Sequence, residues 1–146
     1  MFICLAEYFT GSQPSSSSGI EQQNFWENVC KIRAPNRVKH FIWRAAKDAL
    51  PTKHNLRARH IPIDETCDLC EEHQEMLLHS LWLCDHAQFF SKSNPGFAPL
   101  FQKRFSSFRD LLEAVMLKSS QFRVALFCTT AWSSWQWRNK LREKQP

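Results

Sequence analysis

Apolar side chains between residues 36 and 50 recur every three or four positions, which is the period of an amphipathic helix. Asn36 can cap this helix, and Pro51 predicts its end. Thr52 can cap a shorter helix that follows, with Leu56 facing inward. The pattern therefore predicts a helical hairpin with an apolar inner side and a basic outer side.

Other segments show helical periodicity or loop composition, and none shows the alternation of a half-buried strand. The predicted fold class is all-α: the helical hairpin, a Cys3His zinc knuckle and then two C-terminal helices. Helices are predicted over residues 24–31, 74–83, 105–117 and 122–142, with an extended connection over 61–66 and a loop over 94–99.

The domain plan follows from composition. Gly11 to Gly19 is a serine-rich, low-complexity stretch that predicts a flexible segment. The predicted organisation is a flexible N-terminal segment over residues 1–23, the zinc-binding unit over 24–90, a loop over 91–104 and a C-terminal helical region over 105–146.

Three cysteines and one histidine occur with the spacing C-x2-C-x8-H-x4-C, namely Cys67, Cys70, His79 and Cys84. Zinc binds nitrogen and sulfur donors tetrahedrally, and a Cys3His set closes the coordination shell without an open position for catalysis. The pattern predicts structural Zn2+ at these four residues. His73 and His86 remain open as alternatives to His79.

Cys4, Cys30 and Cys128 are left outside this set. They lie among apolar residues and are predicted to be buried thiols, which favours a reducing compartment, nucleus or cytoplasm. The first ten residues lack the basic start of a signal peptide, and no apolar run reaches about 18 residues, so no membrane partner is expected.

Charge is distributed unevenly between two neighbouring segments. Residues 31–60 contain many Lys and Arg but one acid, Asp48, whereas residues 64–85 contain acids and no Lys or Arg. The acids predict a solvated loop, with Glu75 favourably placed early in its helix. The basic segment predicts binding to the phosphate backbone of RNA or DNA, through Arg37, Lys39, Arg44, Lys47, Lys53, Arg57 and Arg59. Trp43 and Trp82 are predicted to be core residues rather than residues that stack on nucleic-acid bases.

Several short sequence segments resemble the zinc-binding domain of non-LTR (LINE-type) reverse transcriptases, which is abundant in plants. The resemblance covers residues 24–88 strongly and 105–142 loosely. It is carried by Phe25-Trp26, Ala34-Pro-Asn-Arg-Val-Lys-His-Phe-Ile-Trp-Arg44, Ala49-Leu-Pro-Thr52, Asn55-Leu56, Cys67-x2-Cys70, Glu75-x3-His79, Cys84-x2-Ala87 and Ala131-Trp-x2-Trp135-x2-Arg138-Asn139.

The resemblance implies a retrotransposon-derived zinc-binding module that contacts nucleic acid. Polymerase chemistry is not implied, because the single tyrosine, Tyr8, is not followed by a pair of aspartates. We therefore predict that the chain is not an enzyme by itself and lacks polymerase and RNase H domains. The alternative is a structural or protein-interaction remnant that associates with itself or a protein partner through its aromatic C-terminal helices.

Overall fold

A computed structural model describes the backbone of residues 17–143 and the side chains of residues 23–143. Across this range the secondary structure is helical, and one isolated antiparallel bridge joins Thr66 to Gln74 without forming a strand. The all-α prediction is confirmed. The elements are α1 (Ser17–Cys30), α2 (Asn36–Ala46), α3 (Lys53–Ala58), a π-helical turn (His79–Leu83), α4 (Asp85–Ser91), a 3-10 helix (Pro95–Gln102), α5 (Phe108–Lys118) and α6 (Gln121–Glu143).

The long helix α6 organises the core, because it packs against α2, α4, α5 and the π-helical turn. Phe127 and Trp135 of α6 are buried, and Phe127 contacts the rings of Phe97, Phe108 and Trp82. Each large apolar side chain buried in this way contributes about 1.5–3 kcal/mol. The C-terminal helices therefore share one hydrophobic core with Leu77, Leu81 and Trp82, whereas Cys67, Cys84 and Ala87 form a smaller cluster beside it.

The connection from α2 to α3 depends on capping rather than on proline. Asp48 adopts a left-handed φ of 55°, and the amides of Asp48 and Ala49 donate to the carbonyls of Ala45 and Arg44 at 3.0 and 2.9 Å. This is a Schellman arrangement, and it ends α2 at Ala46, before Pro51 is reached. Pro35 occupies the N-cap, so Asn36 begins the helix instead of capping it.

The start of α3 follows the prediction. The Thr52 hydroxyl accepts a hydrogen bond from the Asn55 amide at 3.1 Å. The side-chain amide of Asn55 in turn donates to the Leu50 carbonyl and to the Asp48 carboxylate, both at 2.9 Å. These bonds fix the angle between α2 and α3.

Other boundaries differ from the predicted ones. The helix α1 already begins at Ser17, inside the stretch predicted to be flexible; residues 1–16 lie outside the described part of the chain. The predicted loop over 94–99 is part of a 3-10 helix, because Asn94 caps Gly96 and both Phe97 and Leu100 are buried. The helix α4 was not predicted, whereas α5 and α6 match their predicted spans closely.

Candidate metal centre

A short loop positions the first two cysteines. The bridge between Thr66 and Gln74 closes its base, and the Cys67 amide donates to the His73 carbonyl at 2.8 Å. Within the loop, the Glu71 amide donates to the Cys67 carbonyl at 2.9 Å, and Glu71 adopts a left-handed φ of 59°. The chain therefore reverses tightly enough to turn both thiols to the same side.

A π-helical turn positions the other two donors. In an α-helix, residues five apart lie about 140° apart around the axis, so His79 and Cys84 would diverge. Here the Cys84 amide donates to the His79 carbonyl at 2.8 Å, the five-residue step of a π-turn. The predicted helix over 74–83 is therefore wrong at its start, since Glu75 and Met76 are not helical, and wrong in its pitch.

The four predicted donors meet in one cluster. One ligand atom from each of Cys67, Cys70, His79 and Cys84 lies within 4.8 Å of all the others, and Cys70 Sγ is 3.4 Å from His79 Nε2. Cys67, His79 and Cys84 are buried, and Cys70 is half-buried. A tetrahedral ion with bonds of about 2.0–2.3 Å can join donors grouped this tightly, so the residues present fit the metal.

The thiols of this cluster differ in acidity. Burial acts to raise the pKa of Cys67, but hydrogen bonds from the amides of Cys70 and Leu69 outweigh it, so the pKa lies below its ordinary value. Burial raises the pKa of Cys84 to about 11, and the neighbouring Cys67 and Cys70 add to that rise. A divalent cation favours thiolate at all three cysteines, so metal binding releases protons.

The two alternative histidines lie outside this cluster. The His73 side chain is 68% exposed, and its ring contacts the His79 ring with a centroid distance of 5.4 Å. The His86 ring stacks on Trp137 at 5.9 Å. Within the described residues, the grouping of donors contains His79 and neither alternative.

Beside the cluster lies a buried network of charges. The Glu75 carboxylate is completely buried; its Oε1 accepts a hydrogen bond from the Lys53 amide at 2.8 Å, and its Oε2 forms ion pairs with Arg138 and Arg142 of α6. Asp68, next to Cys67, forms ion pairs with Lys53 and with Arg142, whose Nε is 3.4 Å from Asp68 Oδ2. Glu75 is thus not part of a solvated acidic loop, as the sequence had suggested.

Arg138 is the most buried cation of this network, with 2% of its surface exposed. Desolvation and the nearby Arg142 lower the pKa of Arg138 to about 10, while Cys67 and Asp68 act in the opposite direction. Its guanidinium therefore keeps its charge at neutral pH. Sequence reasoning missed the pairing of Glu75 with Arg138 and Arg142, and the only signal was that Glu75 lies four positions before His79.

The predicted phosphate-binding residues separate into two groups. The structure corrects the predicted outward orientation of Lys39 and Lys53, because both are buried. Lys39 Nζ donates to the Cys30 carbonyl at 2.7 Å, and burial lowers its pKa; Lys53 Nζ donates to the Thr66 carbonyl at 2.9 Å and pairs with Asp68. The exposed residues are Arg37, Arg44, Lys47, Arg57 and Arg59.

Two of the exposed cations cover aromatic rings. Lys47 Nζ lies 4.2 Å from the centroid of the Trp43 ring, and Arg37 lies 5.2 Å from that of Trp132. Trp82 is a core residue, as predicted: it is buried and stacks on Phe101 at 4.3 Å.

The remaining cysteines fall into different environments. Cys128 is a free thiol that is fully buried, as predicted, and burial raises its pKa to about 12. Cys30 is half-buried and disulfide-bonded, so the prediction of a free thiol is wrong there. The prediction for Cys4 lies outside the described residues.

Comparison with known proteins agrees with this centre. Residues 11–90 match the family described as "zinc-binding in reverse transcriptase". The chain belongs to this family. The matched range contains all four donors, Glu75 and Asp68, whereas Arg138 and Arg142 lie beyond it. This reverse transcriptase zinc-binding module therefore receives part of its buried charge network from a helix outside the matched range.

One relative is a protein of Arabidopsis thaliana named as a putative ribonuclease H protein. It is 26% identical over 129 residues, which cover 79% of this chain and 19% of the relative. The chain thus spans about a fifth of the length of that relative. No solved structure matches the chain. Among the described helices, none is both long and apolar enough to cross a membrane.

Proposed function

We propose that the chain is a non-catalytic nucleic-acid-binding module of LINE-type origin, in which a structural Zn2+ held by Cys67, Cys70, His79 and Cys84 stabilises a basic helical surface. The donor set supports zinc, because three thiolates and one imidazole suit a soft-to-borderline tetrahedral ion. Four protein ligands complete the coordination shell, so the ion acts in folding and not as a Lewis acid.

The observation that carries the proposed binding is the arrangement of cations along α2 and at its C-cap, Lys47. Arg37, Arg44 and Lys47 fall within an arc of about 80° around the helix axis, and all three are exposed. Arg57 of α3 and Arg59 at its C-cap add two more exposed cations, although Arg57 lies 3.8 Å from Glu65. We call these five residues the basic surface. Such a surface neutralises phosphates and releases counterions irrespective of base sequence.

The test is the salt dependence of binding to labelled RNA and DNA, measured by fluorescence anisotropy. Arg44→Gln/Lys47→Gln removes two phosphate contacts and should lower the slope of log K against log salt by about 2 for duplex DNA. Lys103→Gln/Lys118→Gln removes the same charge from two exposed residues near each other but outside the basic surface, and it should leave the slope unchanged. Equal slopes for both double variants would overturn the proposal.

A second candidate is association with a protein or with another copy of the chain. It is favoured by Leu117 and Phe122, which are 84% and 74% exposed at the junction of α5 and α6. Leu117 also lines an open pocket of about 810 Å3 formed by α1, α5 and the start of α6. Sedimentation at several concentrations tests it: association through apolar contacts persists in high salt, whereas a monomer at every concentration excludes self-association.

A further inference from the structure

The metal cluster and α6 are connected by buried charge rather than by apolar packing alone. Arg138 lies beside Glu75 with its guanidinium buried, and Asp68 and the Cys67 sulfur are close enough to act on its charge. Arg142, one turn later on α6, reaches both Glu75 and Asp68. Helix α6 thereby places two cations next to the loop that carries Cys67.

The charges of this network do not balance among themselves. Its cations are Lys53, Arg138 and Arg142, and its anions are Glu75 and Asp68. These five directly paired groups therefore carry one positive charge in excess; the exposed Asp64 also acts on Lys53, but an unbalanced charge is costly at Arg138, which is 2% exposed. Zn2+ bound to three thiolates and a neutral imidazole carries a net charge of −1, which equals the excess in magnitude and has the opposite sign.

We propose that Arg138, supported by Arg142, supplies the counter-charge of the metal centre, so that α6 contributes electrostatically to zinc binding. The inference rests on the proposed structural zinc. Arg138 and Arg142 act as positioning residues that bind no metal themselves and stabilise the thiolate-rich complex electrostatically. Groups that surround a metal site in this way typically change its affinity about ten- to hundredfold when they are replaced.

A purely structural role for Arg138 makes a different prediction. If the ion pair between Arg138 and Glu75 only held the fold together, Glu75→Gln would weaken zinc binding at least as much as Arg138→Met, because Glu75→Gln leaves the buried Arg138 without its anion, whereas Arg138→Met leaves Glu75 paired with Arg142. If the charge of Arg138 matters, the two sides differ, because Arg138→Met removes a positive charge and Glu75→Gln removes a negative one. The amide introduced by Glu75→Gln also keeps an oxygen that can accept the hydrogen bond of the Lys53 amide.

The experiment measures zinc affinity of the full chain by competition with a chromophoric chelator. Arg138→Met is expected to bind zinc at least about tenfold more weakly than Glu75→Gln, with thermal unfolding of the zinc-loaded proteins recorded alongside. An equal or greater loss of affinity in Glu75→Gln would overturn the inference. Absence of zinc binding by the unaltered chain would instead overturn the proposed function, so the two failures are distinguishable.

A second pair keeps the test decisive if Arg138→Met does not fold. Arg142 is only partly buried, and its ion pair with Asp68 can be broken from either side with Arg142→Gln or Asp68→Asn. Arg142→Gln is expected to weaken zinc binding more than Asp68→Asn, and the reverse order would contradict the inference. Arg109→Gln serves as the control, because Arg109 pairs with Glu113 and covers Phe25, away from the metal centre.

Discussion

Glu75 and Arg142 are 67 positions apart in the chain and meet in an ion pair, and Arg142 also pairs with Asp68, the neighbour of Cys67. Glu75 has no exposed surface, whereas Arg142 is partly accessible. Lys53, the first residue of α3, donates its amide to the same carboxylate. A single side chain therefore joins the basic hairpin, the metal loop and the C-terminal helix.

Glu75→Ala is expected to lower the free energy of unfolding by about 3–5 kcal/mol, because it leaves the buried Arg138 without its anion. Urea denaturation of the zinc-loaded protein measures this change. Glu72→Ala removes the same side chain from an exposed position of the same loop, where 78% of it is accessible. Its effect should stay within about 0.5 kcal/mol; similar losses for both variants would contradict the buried role of Glu75.

Removing the metal should abolish cooperative unfolding of the module, because the four donors are held together only in the folded chain. Metal content after purification, measured by mass spectrometry, should fall from one zinc per chain to none in Cys67→Ser and His79→Ala. His73→Ala removes an exposed histidine beside the cluster and should keep its zinc. Loss of zinc in His73→Ala together with retention in His79→Ala would reverse the ligand assignment.

The hydroxyl of Thr52 should contribute about 1 kcal/mol to stability by capping α3. Thr52→Ala removes the acceptor for the Asn55 amide, and Thr52→Ser keeps it. Thermal unfolding should therefore rank the unaltered protein first, Thr52→Ser second and Thr52→Ala last. If Thr52→Ser is as unstable as Thr52→Ala, the lost methyl group and not the cap is responsible.

Stability should fall with rising pH above about 9 because of Cys128. The folded-state pKa of this thiol is raised from 9.0 to about 12, so between these values the unfolded chain has released a proton that the folded chain still holds. The free energy of unfolding therefore declines as pH rises through this window. In Cys128→Ala the free energy of unfolding, measured by urea denaturation, should decline less steeply with pH. An unchanged decline would mean that groups other than Cys128 cause it.

The sequence was sufficient to predict the helical class and the cluster of four donors, because both are local properties. The periodicity of residues 36–50 is strong enough to define helix α2, and the C-x2-C pair lies within one loop. The π-helical pitch of the turn between His79 and Cys84, in contrast, could not be predicted from the sequence. Helical propensity favours an α-helix there, and it is the grouping of the donors that requires the longer turn.

The orientation of Lys39 and Lys53 could not be read from a helical pattern. Both residues lie on the polar side of their helices, but Lys39 reaches a carbonyl at the end of α1 and Lys53 reaches the metal loop. Their partners are set by how helices and loops pack against one another, which periodicity within one helix does not specify. The same holds for Glu75, whose arginine partners come from the far end of the chain.

The position of Arg138 on the last helix has a consequence for synthesis. The ribosome makes the four metal donors well before it makes α6, and at typical elongation rates the interval is on the order of several seconds. During that time a nascent chain can gather its thiols around a metal but has no guanidinium behind them. The metal centre of this protein is therefore completed last by residues that never touch the metal.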